Sequence, residues 1–449
     1  MPMPSESSEP RSCVLQPSEL HSSVHDPSLG AVNFLNEIMQ RHPKAISFAP
    51  GAPYPVFLES LDVQGYLDVF AQRLKAQRSF SSAQVQRLLH QYGPSKGLIN
   101  DLVAELLLND EELAVGADSI VITVGCQEAM MLVLRALRSG PNDQLAVVTP
   151  CYVGLIGAAR LVDFDLVAID ESDDGLDLPQ LERACRDARA SGKRIKAVYV
   201  APDHSNPSGT HMPEHARVAL LALAAEHDFL VIEDSTYRFT SAGPSPTALI
   251  KSLDREHRVI LLGTFAKTCT PGARVGYVVA DQPIGTGRDP ARILADELAS
   301  LKTMVTVNTS PLCQALIGGM LVVHNCSIKR LATEKVRRYQ GNLDRLLAAL
   351  DEHLGDFPQV SWNRPSGGFF VRVRLPIPVD EALVARSAEE FGVLWTPMSH
   401  FHINGTMNYE LRLSCSYLAE DQIDEGVRRL SRFLRAVVSP VREGVACDE

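Results

Sequence analysis

The chain has 449 residues, 45% of them hydrophobic, with a net charge of −11 and a pI near 5.7. That size gives a globular protein of roughly two or three domains, and the acidic balance excludes nucleic acid or an anionic membrane as the main partner. No apolar run reaches the ~18 residues of a membrane span, and nine scattered cysteines without a C-x-x-C pair read as reduced thiols of a cytoplasmic protein.

The chain opens on Met1-Pro2-Met3-Pro4-Ser5-Glu6, which has no basic region followed by an apolar core and so is not a secretory signal. Its Ser/Pro-rich composition predicts a disordered tail over 1–27. An N-terminal arm follows over 28–65, then a large domain over 66–325 and a smaller C-terminal domain over 326–449. From about residue 118 short apolar runs alternate with amphipathic ones. Ser119 to Val124, Ala146 to Val148, Ala197 to Val200, Phe229 to Ile232 and Val259 to Leu262 read as strands. Runs that are apolar on both faces and split by helical segments imply a mostly parallel α/β sheet. Gln127–Arg138 and Pro213–His227 are the clearest crossover helices. One long amphipathic stretch, about 311–354, links to the smaller α+β domain. There strands at Gly368–Val373 and Leu411–Ser414 flank a helix near 378–391, and a helix over Ala419–Val437 closes the chain.

In open parallel sheets, ligands sit at the carboxyl ends of the strands. The first strand runs into Gly125-Cys126-Gln127, opening a helix whose free amides suit a phosphate. The second runs into Thr149-Pro150-Cys151-Tyr152, placing an aromatic that can stack on a flat ring. The third ends at Asn206-Pro207-Ser208-Gly209, where an amide can donate to a phenolate oxygen. The fourth ends at Glu233-Asp234, with Tyr237 three residues on; a carboxylate there needs a partner, because burying a bare charge is costly. The fifth ends in Gly263-Thr264-Phe265-Ala266-Lys267, with Arg274 seven residues later. Each signal alone has a commoner structural explanation: a turn, a packed tyrosine, a salt bridge, a solvated lysine. Together they describe one ligand. An amine that condenses with an aldehyde, a guanidinium and helix amides for a phosphate, and an acid for a pyridinium nitrogen specify pyridoxal 5′-phosphate.

These motifs, with Gly367-Gly368-x-Phe370 and Leu411-Arg412-Leu413, resemble the fold-type-I pyridoxal-phosphate enzymes of the class I/II aminotransferase group, from about Ala31 to Val437. The resemblance implies a homodimer with shared active sites, acting on a small-molecule amino acid. It makes Lys267 the Schiff-base lysine and proton shuttle, and Asp234 the partner of the ring nitrogen. Tyr237 and Asn206 would hold the phenolate oxygen, and Tyr152 would stack on the ring. The Cys126 and Gln127 amides, Thr264 and Arg274 would bind the phosphate, and Arg412 would grip the substrate carboxylate as a fork. Tyr92, in Gln91-Tyr92-Gly93, would reach the neighbouring subunit's cofactor. Gly51, in Ser47-Phe48-Ala49-Pro50-Gly51, would line the substrate pocket. No metal is expected; His400 and His402 lack further ligands.

Two departures stand out. Many relatives carry a phosphate-binding serine where this chain has Ala266, so one phosphate hydrogen bond is lost, or a water or Thr268 replaces it. Relatives acting on 2-aminoadipate or kynurenine carry an arginine where counting back from Arg41-His42-Pro43 places Asn33, which disfavours a substrate with a distal carboxylate. Val32 to Glu37 and Ile46 to Gly51 look most like the branch of arylglycine aminotransferases, implying secondary metabolism. A non-transaminating enzyme of the same fold, running elimination, replacement or cyclisation, would use the same Lys267, Asp234 and Arg412. A transcription regulator built on this fold would carry a basic winged helix ahead of it, where this chain has about 30 low-complexity residues.

Overall fold

The computed structural model describes residues 13, 15–26, 30, 37–241, 247–285, 292–403, 405 and 408–438. A seven-stranded sheet forms its centre. The strands are β1 (Ile120–Thr123), β2 (Asp143–Thr149), β3 (Asp165–Asp170), β4 (Arg194–Val200), β5 (Leu230–Asp234), β6 (Val259–Thr264) and β7 (Gly276–Val279), in the order β1-β7-β6-β5-β4-β2-β3. The expected mostly parallel α/β sheet is present. Only β7 runs against its neighbours, pairing antiparallel with both β1 and β6. Two strands were not predicted. β3 is a partly exposed edge strand, so its apolar signal is weak, and β7 is four residues long directly after the Arg274 turn.

Crossover helices α1 (Gly125–Leu137), α2 (Val153–Leu161), α3 (Leu178–Ala190) and α4 (Glu214–His227) cover the sheet, followed by α5 (Leu294–Val305). Ala129, Leu132 and Val133 of α1 pack with Val121, Ile232, Ile260 and Leu262 from the sheet. Each fully buried leucine or phenylalanine of such a core contributes about 1.5–3 kcal/mol. The stretch 311–354 is corrected from one long element to two helices, α6 (Pro311–Val323) and α7 (Thr333–Leu354), with one turn between them. Asn325 and Cys326 take positive φ, which ends α6. Asp110 then accepts from the amides of Ile328 and Lys329, restarting the chain in a new direction.

The smaller sheet is β8 (Ser361–Trp362), β9 (Phe370–Arg374), β10 (Thr396–Pro397) and β11 (Glu410–Ser414), in the order β8-β9-β11-β10. Val371, Val373, Leu411 and Leu413 face α7 and α8 (Glu420–Val438), where Leu346, Leu350, Phe433 and Leu434 complete a second core. Side chains alternate along a strand. Phe370, Arg372, Arg412 and Ser414 are therefore turned to the opposite face. The arm crosses that boundary: Phe48 donates to Leu394 O at 2.8 Å, and Ser414 donates to Phe48 O at 2.8 Å.

Part of the predicted disordered tail is instead two helical turns, Pro17–Glu19 and Ser22–His25, with Asp26 3.4 Å from Arg160 of α2. The rest of that tail, and Asn33 with most of its surrounding segment, lie outside the described residues. Among the described residues every cysteine is free, and no helix is long and apolar enough to cross a membrane.

Candidate active site

A cavity of about 270 Å³ opens at the carboxyl ends of β4, β5 and β6. Every predicted site residue except Tyr92 lines it.

Asp234 ends β5 and is 5% exposed. Its Oδ2 accepts from the Tyr199 hydroxyl at 2.7 Å, and its Oδ1 accepts from the Thr236 amide at 2.9 Å. Burial pushes its pKa up, while these donors hold it down. Cys126 Sγ lies 3.9 Å from Oδ1; burial, then the Asp234 charge, keep that thiol protonated.

Lys267 donates to Gly51 O at 2.7 Å. Burial, then Arg412 and Arg274, push its pKa down to about 8. Its Nζ sits 5.4 Å from the centre of the Tyr237 ring. Phe369 and Phe370 hold that ring edge-on at 5.4 and 5.2 Å. Gly51 has no room for a side chain: a Cβ would lie 2.8 Å from Phe370 Cζ.

Arg274 and the start of α1 form a tight cradle. Gly125 has φ of +72°, and a Cβ there would lie 2.4 Å from Arg274 Nη2. The Glu128 carboxylate accepts from Val124 N at 2.6 Å, so the next amides, of Gly125, Cys126 and Gln127, are the ones without an intrahelical acceptor. Thr264 Oγ1 accepts from the Ala266 amide at 3.1 Å. Thr268 does not supply the missing serine's hydroxyl: it is 3% exposed and lies off the cavity, in the turn whose carbonyls hold Lys335. Tyr152 precedes α2, its hydroxyl 3.4 Å from Gln127 Oε1, and burial pushes its pKa up to about 12.

Arg412 lies in β11, between Arg372 of β9 and Thr396 of β10. It donates to Asn206 Oδ1 at 2.7 Å, Ala49 O at 2.6 Å and Thr396 Oγ1 at 3.1 Å. It stacks over Phe370 at 4.5 Å and Phe401 at 5.1 Å. Its Nε is buried without a hydrogen-bond partner, and burial lowers its pKa to about 10. All the acceptors named are neutral, so this buried cation calls for an anion.

The donor set fits pyridoxal 5′-phosphate. Three cations, Lys267, Arg274 and Arg412, face a single carboxylate, Asp234. The cradle of Gly125 and Arg274 suits the phosphate, and Asp234 suits a pyridinium.

The model of the family "Aminotransferase class I and II" matches residues 62–430. This chain is a class I/II aminotransferase. It is 43% identical over 417 residues to (S)-3,5-dihydroxyphenylglycine transaminase of Amycolatopsis orientalis, covering 93% of this chain and 94% of that one. The multiple substrate aminotransferase of Thermococcus profundus has a similar structure, with a TM-score of 0.79 and 28% identity over 93% of this chain and 98% of that one. The α-aminoadipate aminotransferase of Thermus thermophilus, solved with N-(5′-phosphopyridoxyl)-L-leucine, superposes with a TM-score of 0.75 and 29% identity, covering 94% and 99%. The aminotransferase therefore uses pyridoxal 5′-phosphate and transfers amino groups, which decides against the eliminating or cyclising alternative.

Sequence reasoning missed Tyr199, Thr236, Met130 and Ala201 among the cavity's lining. Tyr199 lies inside a predicted strand, where an aromatic reads as core; only the 2.7 Å bond to Asp234 marks it. Tyr92 stands apart from the cavity and is 82% exposed.

Proposed function

We propose that this aminotransferase takes the amino group from an amino acid with an uncharged, aryl-bearing side chain and passes it to a 2-oxo acid. The observation that carries this reading is the charge inventory of the cavity. Arg274 serves the phosphate cradle, Lys267 the reaction and Arg412 the substrate's α-carboxylate. Among the described residues no further cation lines the cavity to receive a second, distal carboxylate. The relative from Amycolatopsis orientalis, named for an arylglycine, supports the same class. A role in secondary metabolism follows from that likeness.

When bound, pyridoxal 5′-phosphate supplies an electron sink for charge at the substrate α-carbon. Asp234 keeps its carboxylate toward the ring nitrogen, fixed by Tyr199 and Thr236. Tyr237 and Asn206, which both line the cavity, would meet the phenolate oxygen. Tyr152 covers the ring. The amides of Cys126 and Gln127, with Thr264 and Arg274, hold the phosphate. Lys267 holds the cofactor at rest and then moves a proton at Nζ; a pKa near 8 lets that amine both take up and release a proton near neutral pH. Arg412, whose Nε has no partner, would orient the α-carboxylate by its uncancelled charge.

The working unit is a homodimer with shared sites. Tyr92 is exposed beside an apolar strip of Met304 (82% exposed), Val305, Val307 and Leu312. Ser95 bonds Thr303 at 2.8 Å, and Gly93 lies against Pro311, which brings the two segments together. A second copy covering this strip brings Tyr92 toward the partner's phosphate. The free thiols accord with a reducing, cytoplasmic setting.

The test is a comparison of amino donors by kcat/KM, followed through the 2-oxo acid released. Phenylglycine-type and tyrosine-type donors should exceed 2-aminoadipate by about tenfold or more, the cost of burying an unmatched carboxylate being at least ~1.4 kcal/mol. A preference for 2-aminoadipate over every aryl donor would remove the aryl assignment.

A further inference from the structure

We propose that Glu182, Glu226 and His227 form a binding site for a divalent transition-metal ion, remote from the cofactor cavity. Glu182 lies in the second turn of α3, and Glu226 and His227 end α4. His227 precedes the amino end of β5, whereas the cavity lies at that strand's carboxyl end. Nothing in the transamination chemistry uses these three residues.

One potential ligand atom from each residue lies within 4.8 Å of the other two. Two ligands on one ion, at about 2.0–2.2 Å each, stand at most about 4.4 Å apart. Small side-chain rotations therefore close the set around an ion. His227 gives independent support. Its side chain is only 5% exposed, and neither ring nitrogen has a hydrogen-bond partner among the described residues. A buried imidazole with both nitrogens unsatisfied is costly. Its Nε2 is directed at Glu226 Oε1, 3.8 Å away, too far for a hydrogen bond and suited to an ion between them. The C-terminal turn of α4 adds its own negative field, which favours a cation there.

The competing partner is Arg186, which hydrogen-bonds to Glu182 Oε1 one turn along α3. Such exposed pairs on one helix face contribute little. A metal can take the other carboxylate oxygen or displace the guanidinium. One imidazole nitrogen and two carboxylate oxygens suit Zn²⁺, Co²⁺ or Mn²⁺ rather than a soft ion such as Cu⁺. Two carboxylates balance the ion's charge, and three protein ligands leave positions for water. The bound ion clips α3 to α4, so it stabilises the fold by mass action without touching the reaction.

Co²⁺ titration of the chelator-treated holoenzyme tests this, read by visible absorption and thermal melting. A saturable site should show weak nitrogen/oxygen-type bands without strong sulfur charge transfer, and the melting temperature should rise with Co²⁺. Glu226→Gln, an exposed change that spares the fold, should weaken binding by about tenfold or more and abolish the rise. Glu182→Gln should do the same. No saturable binding, equal binding by the Glu226→Gln protein, or a sulfur band showing that Co²⁺ goes to the free thiols would each overturn the proposal.

Discussion

Tyr199→Phe isolates one hydrogen bond that the sequence did not reveal. The substitution removes the hydroxyl 2.7 Å from Asp234 Oδ2 and leaves the ring, so packing in β4 is nearly unchanged. Both residues are buried, at 3% and 5% exposure, so no bulk water is at hand to replace the donor. A hydrogen bond to a charged acceptor contributes about 1.5–3 kcal/mol. Its loss raises the Asp234 pKa further, on top of the rise burial already imposes. The sign follows from the group. A carboxylate that is harder to ionise stays protonated to higher pH, so whatever needs its charge is lost at the acid end first. Cofactor affinity, measured by titrating the apoprotein, should fall by about tenfold or more, and the acid limb of that affinity should move to higher pH. The Thr236 amide still holds Oδ1, so binding should weaken without vanishing. An unchanged affinity with an unchanged acid limb would show that the phenol does not govern Asp234.

Lys267 should react with amine-directed reagents in the apoprotein with a midpoint near pH 8 rather than 10.5, since burial and two neighbouring guanidiniums favour the neutral amine; a midpoint above 10 contradicts the site's electrostatics. Gly51→Ala puts a methyl group 2.8 Å from Phe370 Cζ and must shift the carbonyl that receives Lys267. It should raise the KM for the amino donor by about tenfold, as a loss of ~1.4 kcal/mol, with cofactor affinity nearly kept; wild-type kinetics would show that the arm gives way freely. Mixing the inactive variants Tyr92→Ala and Lys267→Ala should restore activity on subunit exchange, through hybrid dimers with one intact site, and no recovery would refute the shared site.

The strand ends were legible because they obey a local rule. Lys267, Asp234, Asn206, Tyr152 and Cys126 each follow an apolar run, and a parallel sheet carries all such ends to one edge. No contact information was needed to gather them. Neither β7 nor its reversal was legible, because its four residues follow directly on the Arg274 turn and carry no signal of direction. The break between α6 and α7 was hidden for another reason. Amphipathic periodicity continues on both sides of it, and the stop depends on left-handed residues Asn325 and Cys326 and on Asp110, more than 200 residues earlier in the chain.

Arg412 shows where the reading of the sequence ended and the structure began. Its place in Leu411-Arg412-Leu413 marks an arginine between two core leucines, so period-two alternation already turns it off the core. Such a residue is ordinarily neutralised by a nearby acid, as Arg372, its neighbour across the sheet, is by Glu171 at 2.9 Å. Arg412 instead donates to Asn206, the Ala49 carbonyl and Thr396, from three separate segments. Neutral oxygens orient a guanidinium without cancelling its charge, and the lowered pKa records the cost. Ala49 lies 363 residues from Arg412, in an arm held by the small sheet, so that arrangement could not be read from either motif alone. An uncancelled buried cation is stabilised when a carboxylate arrives, and on the function proposed above this is how Arg412 would orient the α-carbon of a bound amino acid.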